Sequence, residues 1–551
     1  MEFTSVNKIF EASFKKHWDR PAISNYQGVT LHYRDVARRI EKLHIMFEEC
    51  GLQKGDKVAL CSRNQANWAV AFLSTMTYGA VPVPLLHEFK SSNIHHLVNH
   101  SEAKILFVDD VIWEGLTEAE MPDLHAIIQV NTFKLLYSAD ARITEAREHL
   151  NELFGRKYPN VFTPDALNYY EDSAEELAII NYTSGTSGFS KGVMIPYRAI
   201  LSNLEFARKV LPELDHTKNM VSMLPSAHMY GLMFELLYEL SVGAHVHFLS
   251  RVPSPKVIMQ AMADVKPYLI IAVPLVIEKI YKSKVKPILE KEGIRFLMKV
   301  PGLNQVVMNK IKTELVNAFG GEFYQVIIGG AAFNKEVEAF FKRIGFPVTV
   351  GYGMTECAPI ITYDDWTVEK LYSCGKAAPN LEVRIDSKDP ENVPGEILVK
   401  GANVFLGYFK NEDATRSVFT EDGWFKTGDM GVIDQDGSLF IKGRSKCMIL
   451  GPSGQNIYPE EVETVINSQP YVVDSLVVED DGGLTALIYP DFAQGAKDGM
   501  DQDAFIRYMQ DTLPELNKEL PNYAKLKKIE VMSEDFERTP KKSIKRYLYQ
   551  R

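Results

Sequence analysis

The stretch Asn181-Tyr182-Thr183-Ser184-Gly185-Thr186-Ser187-Gly188-Phe189-Ser190-Lys191-Gly192 decides how the chain is read. An apolar run, Leu177 to Ile180, precedes it and a shorter one, Val193 to Ile195, follows, so the pattern is buried strand, loop, strand. Small and hydroxylated residues leave the loop's backbone N–H groups free, and its glycines let the main chain close around an anion. The hydroxyls and the Lys191 ammonium add donors and positive charge, and the loop reads as a polyphosphate cradle. A Walker loop is excluded by spacing, since it needs Gly-Lys-Ser/Thr at the start of a helix, whereas Lys191 lies between Ser190 and Gly192 with a strand after it. The plain alternative is a flexible Ser/Gly turn.

Outward from the loop, strand and helix patterns alternate. Lys57 to Cys61 reads as strand, Trp68 to Tyr78 as helix, Val81 to Leu86 as strand, Asn93 to His100 as helix and Lys104 to Val108 as strand. This alternation predicts a mostly parallel sheet with helices on its faces. Ala199 to Val210 reads as helix and Met220 to Leu224 as strand, and residues 282–320 form one long Lys-rich helical stretch, either a solvated face or a basic edge. From Gly375 the helices stop, and the runs Glu382 to Ile385, Glu396 to Val399, Met430 to Ile433 and Leu439 to Lys442 predict a small β subdomain. His95, His96 and His100 include a pair one helical turn apart, but no acid or thiol completes a ligand set, and an amphipathic helix explains them.

At 551 residues the chain has length for more than one domain. Its 46% hydrophobic and 24% charged residues are those of a globular protein, and a net charge of −11 speaks against a nucleic-acid surface. Met1 to Arg20 mixes apolar and charged residues, unlike a signal or anchor. The richest apolar stretch, Tyr268 to Ile277, is broken by Pro274 and closed by Glu278, too short to span a bilayer. Cys50, Cys61, Cys357, Cys374 and Cys447 are odd in number and scattered, which predicts reduced thiols in a cytoplasmic protein.

Two further motifs carry chemistry. Gly329-Gly330-Ala331-Ala332 ends a strand with residues small enough for a flat ligand to reach the backbone. In Gly351-Tyr352-Gly353-Met354-Thr355-Glu356 the ring of Tyr352 can stack on a purine, Thr355 can donate to a phosphate oxygen, and Glu356 is a hard oxygen ligand suited to Mg²⁺.

In this order, from about Gly55 to Arg546, the motifs resemble those of the adenylate-forming superfamily, which includes acyl-CoA synthetases, luciferases and peptide-synthetase adenylation domains. The resemblance implies a large α/β N-terminal domain, residues 1–443, of two α/β sheet subdomains plus a small β-barrel-like subdomain near 375–443. A hinge at 444–447 and a small mobile α+β domain, 448–551, would follow. It implies a nucleotide site of Thr183, Ser184, Gly185, Thr186, Ser187, Gly188, Lys191, Gly330, Ala331, Tyr352, Gly353 and Thr355, with Asp429 on the ribose hydroxyls and Arg444 as a second ribose and phosphate contact. Glu356 would hold the metal, Lys446 would be the point of rotation, and Gly454 would border a pantetheine channel. The turn Pro225 to Gly231 would lie beside the acyl carboxylate, making His228 and Tyr230, with Gly330, substrate-pocket residues; a packed histidine is the alternative.

Two departures stand out. Val273-Pro274-Leu275 is similar to a Val-Pro-Arg turn of long-chain fatty acyl-CoA synthetases, with Leu275 in place of Arg. In the tail Arg538-Thr539-Pro540-Lys541-Lys542-Ser543-Ile544-Lys545-Arg546, Ser543 occupies the position of the family's adenylation lysine, and loss of one such donor costs about 10²–10³ in rate. Lys542 is the favoured substitute, with Lys541 and Lys545 as neighbours; a solvated cationic tail is the plain alternative. The implied catalytic set is Lys191, His228, Glu356 and Lys542. The implied reaction is ATP- and Mg²⁺-dependent activation of a medium- to long-chain fatty acid to its acyl-adenylate, then transfer to CoA. An acyl-carrier protein is an alternative acceptor, and a degenerate nucleotide-binding sensor an alternative function. No nucleic acid and at most transient membrane contact are expected.

Overall fold

The strand Lys57–Cys61 is almost fully buried and reads without polar alternation, the pattern of a strand covered on both faces. The structure around it is a computed structural model that describes residues 4–183, 190–211, 213–250, 254–300, 302–450, 456–480, 482–539 and 543–551. Lys57–Cys61 pairs in parallel with Val81–Leu85 on one side and Ala103–Val108 on the other; Ala126–Gln129 continues in parallel and Leu135–Ser138 closes the sheet antiparallel. The crossover helix Ala66–Tyr78 buries all but Asn67 and Tyr78, with Trp68 stacked on Phe72 at 5.4 Å, so it is a core helix rather than a surface one. It stops at Gly79, whose φ of +88° makes the left-handed cap.

A second sheet of seven strands runs Val348–Val350, Gln325–Ile328, Leu269–Ala272, Asn219–Ser222, His245–Phe248, Pro21–Asn25, Thr30–His32. All neighbours are parallel except the last hairpin. After Asn219–Ser222 the chain lays the next strand, His245–Phe248, on one side and the following one, Leu269–Ala272, on the other. That reversal opens a crevice outside the strands' C-terminal ends, where open α/β sheets bind ligands.

The β-rich part is a four-stranded antiparallel sheet, Leu381–Asp386, Gly395–Gly401, Phe425–Ile433 and Leu439–Arg444. Contrary to the expectation that helices stop at Gly375, a short helix Glu412–Ser417 lies within it, made possible by the Asn411 side chain accepting from Ala414 N. The Lys-rich stretch is helical, as its pattern predicts, but in pieces. It breaks into a π turn Tyr281–Val285 and helices Lys286–Leu289, Glu292–Lys299 and Leu303–Ala318, the last preceded by Gly302 at φ +86°.

Beyond Arg444, Val472–Asp480, Gly483–Pro490 and Leu526–Val531 form a three-stranded sheet whose core includes Ile457, Val462, Ile466, Phe505 and Met509. The main hydrophobic core has no member past Leu439, so the chain carries separate cores on either side of residues 440–456. No helix among the described residues is long and apolar enough to cross a membrane.

Candidate active site

The strands Leu177–Thr183 and Lys191–Pro196 pair antiparallel, with Thr183 opposite Lys191. Between them, Ser184, Gly185, Thr186, Ser187 and Gly188 lie outside the described residues. The Lys191 ammonium sits 4.6 Å from the centre of the Tyr408 ring, and the Tyr408 hydroxyl donates to Glu356 Oε1 at 3.0 Å. Cation, ring and buried carboxylate therefore form one chain. Burial, and then the facing Glu356 carboxylate, push the Tyr408 phenol up, so that it remains a donor. Tyr408 comes from the short strand Gly407–Tyr408, paired with Met194 and Val193. Its sequence surroundings gave no sign of this role.

A second cluster joins residues far apart in sequence. Tyr352 Oη donates to Asp429 Oδ2 at 2.6 Å, and Arg444 Nε lies 2.7 Å from Asp429 Oδ1. Asp429 and Arg444 are register partners in adjacent strands, which puts their side chains on one face. Burial pushes the Asp429 carboxyl up, while Arg444 and the Tyr352 hydroxyl hold it down. Thr355 and Glu356 stand in the single turn Thr355–Cys357, both buried. Asn203, fully buried, holds the chain where it leaves that turn, donating to Cys357 O at 3.4 Å and accepting from Ile360 N at 3.2 Å. Gly353 is required by close approach: a Cβ there would meet Pro359 O at 2.2 Å.

Beside these clusters lies an apolar cavity with about 640 Å³ of atom-free space, its open mouth included. Tyr352, Gly353, Thr355, His228, Tyr230 and Gly330 line one part of it, and Phe206, Leu211, Leu269 and Tyr363 another. Tyr230 is fixed, its hydroxyl donating to Ile327 O at 3.0 Å and its ring set against Gly329, where a Cβ would come within 3.2 Å. His228 caps the helix Met229–Leu232, its Nδ1 accepting from Tyr230 N at 3.4 Å. Gly330 and Ala331 are exposed at the strand end.

The remaining expected residues lie toward the C-terminal part. Lys446 is exposed in the turn Ser445–Cys447. Gly454, Lys541 and Lys542 fall outside the described residues. Ser543 is exposed, its carbonyl accepting from Thr539 N at 2.8 Å. Lys545 is engaged by Glu537 at 3.1 Å, and Arg546 grips the buried Glu463 with both of its terminal nitrogens. Of the three clustered histidines, His100 shares a 2.6 Å hydrogen bond with Tyr182 Oη and His95 accepts from Thr117 N at 3.1 Å. Among the described residues no group of three or more His, Cys, Asp or Glu is placed to hold a metal ion.

Comparison with known proteins matches residues 10–409 to the model of the AMP-binding enzyme and residues 448–551 to that of the AMP-binding enzyme C-terminal domain. Among similar proteins, long-chain-fatty-acid–CoA ligase FadD15 of Mycobacterium bovis is 27% identical over 478 residues, covering 81% of this chain and 74% of that protein. A long-chain-fatty-acid–CoA ligase of Salmonella typhimurium is 28% identical over 494 residues, covering 84% and 81%. Among solved structures, ATP-bound MatB from Rhodopseudomonas palustris has a TM-score of 0.77 at 24% identity, covering 99% of this chain and 98% of that one. O-succinylbenzoate coenzyme A synthetase MenE from Bacillus subtilis, in complex with AMP, gives 0.74 at 21%, covering 98% and 97%. At these identities the solved structures speak to the fold, and the large α/β part followed by a smaller α+β part is shared with them.

Proposed function

Because the chain belongs to the AMP-binding enzyme family, we propose that it is an acid–thiol ligase that joins a medium- to long-chain fatty acid to CoA at the expense of ATP. A carboxylate oxygen attacks the α-phosphorus of ATP and pyrophosphate leaves; the CoA thiol then attacks the acyl carbonyl and AMP leaves. One observation supports this above the others: the Asp429–Tyr352–Arg444 and Lys191–Tyr408–Glu356 clusters stand beside an apolar cavity that Tyr352 and Thr355 also line.

In this reading Thr183, residues 184–188 and Lys191 receive the triphosphate, Tyr352, Gly330, Ala331 and Gly353 the base, Asp429 and Arg444 the ribose, and Thr355 a phosphate oxygen. Carboxylate and triphosphate repel one another, so fixed positive charge and donors at the junction lower the barrier. Glu356 accepts one phenolic hydrogen bond, which leaves lone pairs for a hard divalent cation, and the group fits Mg²⁺. When bound, Mg²⁺ supplies charge neutralisation on the phosphates. His228, Tyr230 and Gly330 border the acid, and the apolar lining favours an alkyl chain over a small polar acid. Domains 1–443 and 448–551 would rotate about Lys446 between the two steps, with Gly454 beside the thiol's path and Lys542 supplying the C-terminal ammonium.

Pyrophosphate release with ATP and Mg²⁺, across acids from acetate to long-chain fatty acids and with and without CoA, tests the reading. Turnover of the longer acids that depends on CoA is expected. Release indifferent to CoA would move the acceptor to an acyl-carrier protein. A second reading, a nucleotide-binding sensor, rests on exposed Ser543 at the lysine position; it requires silence across the panel with ATP still bound, and activity gained on Ser543→Lys.

A further inference from the structure

The turn Leu224–His228 brings His228 to the cavity, and its main chain is held largely by side chains from elsewhere in the fold. Its one internal backbone bond is His228 N to Pro225 O at 2.9 Å. Glu235, fully buried on the π turn Met233–Leu237, accepts three hydrogen bonds on a single oxygen: Oε2 from Ser222 Oγ at 3.1 Å, Met223 N at 3.1 Å and Leu224 N at 2.9 Å. Asn64, from the loop after Lys57–Cys61, brackets the next peptides, donating to Leu224 O and accepting from Ser226 N at 2.8 Å. Asn181, 1% exposed, donates Nδ2 to Ala227 O at 2.9 Å.

These three side chains come from three different places: a helix packed on the seven-stranded sheet, a loop of the five-stranded sheet, and the strand that enters residues 184–189. Ser222, Leu224, Ser226 and Ala227 are all buried, so their polar groups need protein partners, and the three side chains supply them. The Asn181–Ala227 bond is the decisive one. Asn181 lies two residues before Thr183, and Ala227 one residue before His228, so a single hydrogen bond fixes the spacing between the two half-sites. The π turn re-aims Glu235 relative to a regular helix, a device frequent at functional sites.

We infer that Asn64, Asn181 and Glu235 are positioning residues for acid activation: none of them lines the apolar cavity, and they set the His228 turn at a fixed distance from the strand that leads into residues 184–189. This inference rests on the proposed ligase reading.

Two measurements on the full chain test it: hydrogen exchange at the amides of Met223, Leu224 and Ser226, and the kinetics of pyrophosphate release with dodecanoate and ATP. Glu235→Ala is expected to lose protection at Met223 and Leu224, and Asn64→Ala at Ser226, with the rest of the sheet unchanged. These variants and Asn181→Ala are expected to lower kcat about 10- to 100-fold with the KM for ATP within about twofold of the parent. Glu235→Gln, which keeps an acceptor oxygen, should recover most of that loss. Unchanged kcat, or a KM for ATP that rises in step with the loss, or a Gln variant no better than Ala, would overturn the inference. A parent chain that releases no pyrophosphate with any acid would remove the ligase reading and the positioning role with it, while the exchange pattern would still report whether the three side chains hold the turn.

Discussion

Glu356 shows what one side chain decides. Its carboxylate is buried, bonded to the Tyr408 hydroxyl, and within one aromatic ring of the Lys191 ammonium. Glu356→Gln keeps the shape and removes the charge, and should lower pyrophosphate release about 10²–10³-fold. Tyr408→Phe removes a single donor to the same carboxylate and should cost about tenfold or more, corresponding to about 1.5–3 kcal/mol for one hydrogen bond to a charged group. Both are read from initial rates at saturating ATP. Glu239 gives a different prediction. It is fully buried, neither carboxylate oxygen has a hydrogen-bond partner among the described residues, and burial pushes its carboxyl up from 4.5 to about 8. An acid raised in this way stabilises the fold below its unfolded value, and that contribution is lost as pH climbs through the folded one. Glu239→Gln should therefore match the parent's Tm below pH 4.5, fall less steeply than the parent between 4.5 and 8, where buried Glu338 and Glu369 also titrate, and exceed it above pH 8. Neighbouring Glu235 is raised in the same direction and leaves a residual slope in the variant. Motif chemistry offered Glu356 and Lys191 as candidates, and the family resemblance offered Asp429. Tyr408, Asn203 and Glu235 were offered by neither, because nothing in their own neighbourhoods distinguishes them from ordinary core or loop residues.

Elements that alternate apolar runs with helical spacing declared themselves. Lys57–Cys61, Ala66–Tyr78 and Val81–Leu85 lie within a residue or two of where periodicity put them, since burial on both faces of a parallel sheet imposes continuous apolar runs. The stretch 282–320 is helical in pieces, and its breaks are written in the sequence: Pro287 sits in the first turn of Lys286–Leu289, and Pro301-Gly302 separate Glu292–Lys299 from Leu303–Ala318. The turn Gly351–Glu356 rests on close packing that a local pattern cannot express. Gly353→Ala would drive a methyl into Pro359 O, part the short strands Tyr352–Gly353 and Ile360–Tyr363, and cost about 1–3 kcal/mol. A lower Tm, with a loss of activity larger than that of a distant mutation of equal stability cost, is the expected outcome; calorimetry alongside pyrophosphate assays checks it.

At the scale of the whole molecule, the cores on either side of residues 440–456 share no hydrophobic member, and the two parts meet in part through polar contacts such as Lys442 with Glu461 at 3.3 Å. A chain ended at Lys446 should therefore fold on its own, because the buried members of the larger core all precede it, with a Tm lowered by the loss of Tyr458 and Glu460 packed against Gly443. It should lose thioester formation. A truncated chain that is unfolded at 25 °C would show that the C-terminal part is needed for the larger core.

By itself the sequence determined the α/β class, the order of the motifs and the chemical types at the site, because periodicity and residue chemistry are local properties carried by each segment. Only the tertiary structure decided which of those residues meet. The pairing of Asp429 with Tyr352 across 77 positions, the ring of Tyr408 between Lys191 and Glu356, and the hold of Asn64, Asn181 and Glu235 on one turn arise from strand register and crossover topology. The physical reason is that a buried polar atom needs some partner, and which partner reaches it is fixed by packing of the whole chain rather than by its neighbours in sequence.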